Sequence, residues 1–389
     1  MKILLGGIPL GCDNIGDEAI IAAVVKMLKG SVPGVELTVA TADPATAPLL
    51  GVEVVPPFGF LDTGFAGFPE AVARHDAYVW CGATGLSDYP HVALKLLEMA
   101  QKKGVPTFVW GVGMDYELNP VFFKVGGKRR LLLSLFGLVG AYERLLRVRL
   151  RWRIARVLPR CRGVWLRDPQ SAEMLASMGF ADAGIAADTA MLLNRVALGS
   201  DRVGETLKNP NNTLKDPNDT YATLGLCIST QRQVADLEGL RRLISAVRAS
   251  GAKVIGIPMN PKTDRALLER LGVECIHGTT PEAVMDAAAK CSVVLSSRLH
   301  LLILAANAGT PILGIARGSK LANWLDNFGE TVVGSVYECD WDMVAERVLA
   351  AIRDRGDWDA RRGAAYERLN ARLQKARGEF AAKLMECRR

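Results

Sequence analysis

Apolar runs of strand length alternate with stretches of helical periodicity along almost the whole chain, the pattern of parallel sheets covered by helices. Lys2–Gly7 reads as the first strand. Gly16–Lys29 reads as the first helix, because Asp17 and Glu18 stand in its first turn and Gly30 follows its last. Further strands are predicted at Glu36–Ala40, Ala77–Cys81, Thr107–Gly111 and Gly163–Arg167, with helices over 91–103 and 169–178. Residues 199–220, GSDRVGETLKNPNNTLKDPNDT, are polar and rich in Asn, Asp, Gly and Pro, so they read as a linker. The alternation then resumes. Strands are predicted at Ala222–Ser229, Lys253–Pro258, Val273–Ile276, Ser292–Ser296 and Pro311–Ala316, and helices over 235–250, 262–271, 281–290 and 298–308 and from Ser319. From Trp341 onward the chain reads as charged helix.

This pattern predicts an α/β chain of two Rossmann-like domains facing a cleft, a glycosyltransferase-B-like architecture. The predicted division is 1–198, a linker 199–220, a second domain 221–340, and C-terminal helices 341–389. With 389 residues, 49% of them hydrophobic and 23% charged, the chain is long enough to divide into two cores, and its composition excludes disordered and collagen-like classes.

The formal net charge of +7 hides an uneven distribution. Residues 124–162 carry twelve Lys and Arg and one acid, Glu143, so the rest of the chain is mildly acidic. The longest apolar run, Leu131–Tyr142, is 12 residues, too short to span a bilayer. The first residues lack the pattern of a signal peptide, so the expected location is the cytoplasm. The eight cysteines are scattered with no CxxC, which points to small buried hydrophobes rather than disulfides or zinc.

In open parallel sheets, ligands bind beyond the carboxyl ends of the strands. Three strand-to-helix junctions are chemically rich. The first, Gly6–Ala19, offers Asn14, Gly16, Asp17 and Glu18 and matches neither GxGxxG nor a Walker A loop. In the second, Asp168 and Pro169 read as cap and first residue of a helix, while Arg167 presents a planar fork that either binds a ligand or pairs with Asp168 or Asp188. The third, Ser296–Lys320, gathers Arg298, His300, Arg317 and Lys320 on two strand ends, a set suited to a small, multiply anionic ligand.

Together, GIPLGCDNIGDEA (Gly7–Ala19), RDPQSAEMLASMG (Arg167–Gly179) followed by AADTAMLL, and SSRLHLLILAANAGTPILGIARGSK (Ser296–Lys320) resemble the polysaccharide pyruvyl transferase family. Two segments depart from its usual pattern: CGATG (Cys81–Gly85) stands where a run of glycines is common, and ARGSK where a Tyr-Asp-Pro-Lys type sequence is frequent. The resemblance implies transfer of pyruvate from phosphoenolpyruvate to sugar hydroxyls, usually as a ketal, with Arg298, His300 and Arg167 at the donor site.

Phosphoenolpyruvate carries a carboxylate and a phosphate, so Arg167, Arg298, Arg317 and Lys320 are the expected anion binders, with Asn14 and Gly16 at the lip of the site. His300 is the expected general acid, and Asp17 or Glu18 the group that orients or deprotonates the acceptor. No metal and no cofactor beyond the donor substrate is expected. The expected acceptor is a sugar of a cell-surface polysaccharide or of its lipid-linked precursor. A nucleotide-sugar glycosyltransferase on the same fold is the alternative enzyme, and a nucleic-acid binder, which needs base-reading elements, is not expected. The 124–162 segment admits three readings: an interfacial element on anionic lipid, an internal helix followed by a solvated one, or an oligomer contact.

Overall fold

The computed structural model describes residues 1–46, 50–115, 118, 120–193, 222–229, 234 and 236–387. The expected linker 199–220 lies outside the described residues. The chain forms two compact units: Met1–Cys12 with Val24–Thr189 and Arg372–Arg389, and Asp13–Ala23 with Ala190–Ala371.

The first unit holds a parallel sheet of β1 (Lys2–Leu10), β2 (Glu36–Thr41), β3 (Glu53–Val55), β4 (Ala77–Cys81), β5 (Thr107–Val112), β6 (Gly163–Leu166) and β7 (Gly184–Ile185). Their spatial order is β3-β2-β1-β4-β5-β6-β7. The second unit repeats the scheme with β8 (Thr223–Cys227), β9 (Lys253–Gly256), β10 (Glu274–Cys275), β11 (Val293–Ser296), β12 (Ile312–Ala316) and β13 (Val332–Ser335), ordered β10-β9-β8-β11-β12-β13. In each unit the chain winds outward in one direction, returns, and winds outward in the other. The order therefore reverses between β1 and β4 and again between β8 and β11, the places at whose strand ends open α/β sheets bind ligands.

The central strands are apolar on both faces because helices cover both faces. Every residue of β4, β5 and β8 is buried. Three edge-side strands, β3, β7 and β13, and the helix Phe68–Ala73 are not among the predicted elements. Elsewhere the predicted elements appear within a few residues of their expected bounds.

The contiguous domain division differs from the observed units in two places. Asp13–Ala23 belongs to the second unit, and the C-terminal helices form no separate body. The last helix, Trp358–Met385, contributes its first half to the second unit and its second half to the first. Trp358 stacks on Phe328 at 5.4 Å, and its indole N–H donates to the Gly309 carbonyl at 3.1 Å. Further along, Phe380 stacks on Trp110 at 4.7 Å and meets Phe108 and Trp165 edge-on. Aromatic residues spaced far apart on one charged helix thus complete two cores. All eight cysteines are unbridged.

His75 is buried in the first unit, with Nδ1 2.8 Å from the Ala71 carbonyl and Nε2 2.8 Å from the Thr38 hydroxyl. Burial lowers its pKa below the ordinary 6.5, partly offset by the Ala71 hydrogen bond. The folded protein thus binds this proton less readily than the unfolded chain, so the stability His75 contributes is complete above the ordinary value and lost as pH falls below it. The midpoint of thermal unfolding should therefore fall between neutral pH and pH ~5 less steeply in His75→Gln than in the wild type. Parallel pH profiles of the two proteins would contradict this account.

Candidate functional site

The reversal point of the second sheet carries the densest polar chemistry. β8 and β11 run side by side, Ser296 pairing with Cys227 in register. Just past their ends the Ser229 N–H donates to the Ser297 hydroxyl at 2.8 Å, and the Arg298 N–H donates to the Ser296 hydroxyl at 2.8 Å. These serines replace ladder hydrogen bonds where the sheet stops, fixing the backbone on which Arg298 and His300 stand. Arg298 is the N-cap of the helix Leu299–Asn307, in extended conformation, so its side chain leaves the helix direction.

The Arg298 guanidinium is buried and finds a fully buried partner in Asp264, at the start of the helix Thr263–Arg270. Its Nε and Nη2 donate to the two carboxylate oxygens at 3.0 and 2.8 Å, a bidentate pair. Burial opposes the cation, but the hydrogen bonds and charge of Asp264 outweigh it, with Asp17 adding to the field, and the pKa of Arg298 lies above its ordinary value. Asp264 is fixed in turn: it accepts the Asn260 N–H at 2.9 Å, and the Cys227 thiol lies 3.5 Å from it.

The loop between β1 and the first helix, Ile15–Lys29, belongs to this same unit from Asp13 onward. The Ile15 N–H donates to the Met259 carbonyl at 3.0 Å, and Lys262 pairs with Asp13 at 2.6 Å. Asn14 organises the turn: its carbonyl accepts the Asp17 and Glu18 N–H groups at 3.0 and 3.2 Å, its side-chain oxygen accepts the Gly16 N–H at 3.3 Å, and its amide donates to the Asp17 carboxylate. Asp17 is buried and Glu18 half-buried. A Cβ on Gly16 would lie 2.5 Å from His300 Nδ1 and 2.8 Å from His300 Cβ, so this glycine lets the imidazole rest directly against the loop backbone. Two motifs nearly three hundred residues apart in sequence therefore meet.

Arg317, past the end of β12, donates from Nη1 to the Ser229 hydroxyl at 2.7 Å. Since β11 lies between β12 and β8, the Arg317 side chain crosses the carboxyl end of β11 to reach the reversal point. Lys320 is half-buried in the first turn of the helix Ser319–Leu325, on the same edge of the sheet.

Arg167 stands in the first unit, on its own sheet, just past β6. Both ion pairs open to it in the sequence are formed: Nε to Asp168 at 3.2 Å and Nη1 to Asp188 at 3.4 Å. Asp168 also caps the following helix, accepting the Ser171 N–H at 2.7 Å, with Pro169 as first helical residue. Arg167 Nη2 is enclosed and has no hydrogen-bond partner among the described residues. It lies against Gly113, where any Cβ would collide with it. Burial opposes this cation too, and the two aspartates more than compensate, raising its pKa.

The sequence did not expose Asp264, Asp188 as a definite partner, or the Ser229 and Ser297 brace. Asp264 sits in a helix with no motif around it, and its role follows from β9 lying next to β8 in the sheet. Arg298, expected to present its fork to a ligand, has two of its donors committed to this carboxylate. Removing the carboxylate would strand a buried cation. Asp264→Ala should lower stability by about 3–5 kcal/mol in urea unfolding, with Asp264→Leu/Arg298→Met recovering much of it. A loss below about 1 kcal/mol would show the pair to be incidental. Gly16→Ala should displace the imidazole and cut turnover at least about tenfold while costing no more than ~1–3 kcal/mol of stability. Unchanged turnover would mean that His300 does not need this seat.

Comparison with curated protein sequences finds no match. Among solved structures, the fold is similar to Staphylococcus aureus MnaA in complex with UDP (TM-score 0.57, 12% identity, covering 94% of this chain and 91% of that one). It is also similar to UDP-GlcNAc 2-epimerase from Neisseria meningitidis bound to UDP-GlcNAc (TM-score 0.54, 13% identity, covering 96% and 100%) and to Anabaena HepE in complex with UDP and glucose (0.54, 13%, covering 99% of each). At these identities the likeness establishes the fold, two parallel-sheet Rossmann-like units of the glycosyltransferase-B type. The sequence pattern of one family matches residues 14–319, a span that begins at Asn14, takes in both arginine junctions and His300, and ends beside Lys320, and by that match the chain belongs to the polysaccharide pyruvyl transferase family.

Proposed function

We propose that this transferase moves the pyruvyl group of phosphoenolpyruvate onto hydroxyls of a saccharide, forming a ketal. The observation that carries the reading is the seat of His300: its imidazole lies on Gly16, in the loop ordered by Asn14 and Asp17, two residues from an arginine held by buried Asp264. A proton-transfer group is thus fixed in place amid cations that suit a small dianionic donor.

In the proposed reaction His300 gives a proton to the methylene carbon of the donor, leaving positive charge at C2. An acceptor hydroxyl attacks C2, with Asp17, or Glu18 in the same turn, orienting it and taking its proton. The bond from C2 to the phosphate oxygen then breaks as a second hydroxyl of the same sugar adds to C2 and gives its proton to His300, releasing inorganic phosphate and closing the ketal. The charges of Arg298, Arg317 and Lys320, the first two held by Asp264 and Ser229, favour the anionic donor. Arg167, with an enclosed and unpartnered Nη2, is the anion-binding candidate of the first unit.

Incubation with labelled phosphoenolpyruvate and a panel of free and lipid-linked sugars should place the pyruvyl label in product with one phosphate released per transfer. Release of a nucleoside diphosphate from a nucleotide sugar, with no incorporation of label, would instead establish glycosyl transfer. His300→Gln should lower kcat by about 10²-fold or more with little change in donor affinity, and turnover at the wild-type rate would remove His300 from the chemistry.

A further inference from the structure

Residues 124–162 are anchored to the first unit by one side and present the other to solvent. The apolar run Leu131–Tyr142 is broken into a helical hairpin: the helix Gly127–Leu135 ends with Leu138 N–H on the Leu133 carbonyl at 2.8 Å and Gly137 N–H on Ser134 at 3.1 Å, Gly137 being left-handed, and Val139–Val157 follows. The helix Gly127–Leu135 buries none of its residues. At its tip Leu135 is 73% exposed and Phe136 70%, with Leu131 at 67%. Of the twelve large hydrophobic residues exposed among the described residues, eight lie between Leu131 and Trp152.

The second helix of the hairpin is apolar on two opposite sides. At about 3.6 residues per turn, Leu150, Ile154 and Val157 share one side, and these are the buried residues. Leu145, Val148 and Trp152 fall on the opposite side and are exposed. Arg144 and Arg151 flank this outer stripe on one side, Arg149 and Arg156 on the other. Arg156 lies over the Trp152 ring at 5.2 Å and Arg129 over the Tyr142 ring at 4.8 Å, so cations stand directly against aromatic rings in both helices of the hairpin. The segment's one acid, Glu143, is turned to its own backbone, accepting the Val125 N–H at 3.1 Å.

We propose that this hairpin docks the protein onto a bilayer of anionic phospholipid, with Leu131, Leu135, Phe136 and Trp152 entering the interface and the flanking arginines and lysines meeting headgroup phosphates. Charge selects this occupant. A symmetric contact between two copies would set twelve cations against twelve, with one acid on each side to offset them. A nucleic acid would leave the aliphatic tip unsatisfied, since Leu131, Leu135 and Phe136 have no donors for phosphate or base edges. An acidic membrane satisfies both halves at once. The hairpin rests in the interface without crossing, as no helix among the described residues is long and apolar enough to span a membrane. This inference stands apart from the catalytic reading and is tested without activity.

The experiment is flotation of the full chain with vesicles of phosphatidylcholine, with and without phosphatidylglycerol. Wild type should float with the anionic vesicles and be released by salt. Leu135→Glu/Phe136→Glu and Arg129→Gln/Arg130→Gln, all at exposed positions and expected to unfold at the wild-type temperature, should each reduce partitioning by about tenfold or more. Failure of the wild type to float overturns the proposal, as does binding indifferent to lipid charge or to both variants. A stable dimer that the Leu135→Glu/Phe136→Glu change dissociates would assign the face to a second copy, and salt-sensitive retention on heparin without flotation would assign it to a polyanion.

Discussion

Burying a guanidinium at the carboxyl end of a parallel sheet is the constraint around which the candidate site is organised. An unpaired cation there is costly, so each buried arginine brings its own carboxylates: Asp264 for Arg298, Asp168 and Asp188 for Arg167. The pairing fixes direction as well as charge. Two N–H groups of Arg298 point at Asp264, which determines where the remaining edge of the planar fork can face, and Asn260 fixes Asp264 from behind. A lysine could not transmit orientation in this way, because it offers no planar pair of donors.

The same constraint explains the use of small and hydroxyl residues nearby. Close approach of backbone and side chain requires glycine where the chain meets an arginine or an imidazole, hence Gly113 against Arg167 and Gly16 against His300. Where strands stop, the hydroxyls of Ser296 and Ser297 accept backbone N–H groups that the ladder no longer satisfies, and the Ser229 hydroxyl accepts from the Arg317 guanidinium. Charge, close packing and satisfied backbone thus arrive together, each strand-end junction being shaped by what its cation needs.

Much of this was legible in the sequence, and for identifiable reasons. The strands that form the middle of each sheet are continuous apolar runs, so Ala77–Cys81 was located to the residue. The Asp168-Pro169 cap follows from local chemistry, as do the acids in the first turn after Ile15. Short edge strands such as Gly184–Ile185 were not legible, because pairing rather than pattern makes them strands. Asp264 was hidden for a related reason: it lies 34 residues before Arg298 and meets it by the crossover that sets β9 beside β8. The contact of Gly16 with His300 required that Asp13–Ala23 leave the unit of the strand preceding it, which no local signal announces. Conversely, the sequence marks Arg298 and Arg167 as chemically significant, while nothing local points to Asp264 and the ion pairs of Arg167 with Asp168 and Asp188 stand only as an alternative to ligand binding.

The basic hairpin shows how a periodicity argument can mislead. A surface helix is ordinarily recognised by a single apolar stripe, and Val139–Val157 has two, on opposite sides, which cancel when summed around the axis. Read as an average it is a solvated arginine-rich helix. Read by position, its buried stripe of Leu150, Ile154 and Val157 faces the core, while Leu145, Val148 and Trp152 are exposed and unexplained by folding. The flanking arginines do not contribute to the core either, and their mutual repulsion works against the hairpin unless anions lie nearby. Neither the outer stripe nor the charge is required by the fold, and both are satisfied by the same kind of surface. A saccharide acceptor carried on a lipid would be held in that same plane, so attachment there would confine the search for acceptor to two dimensions while leaving the strand-end chemistry untouched.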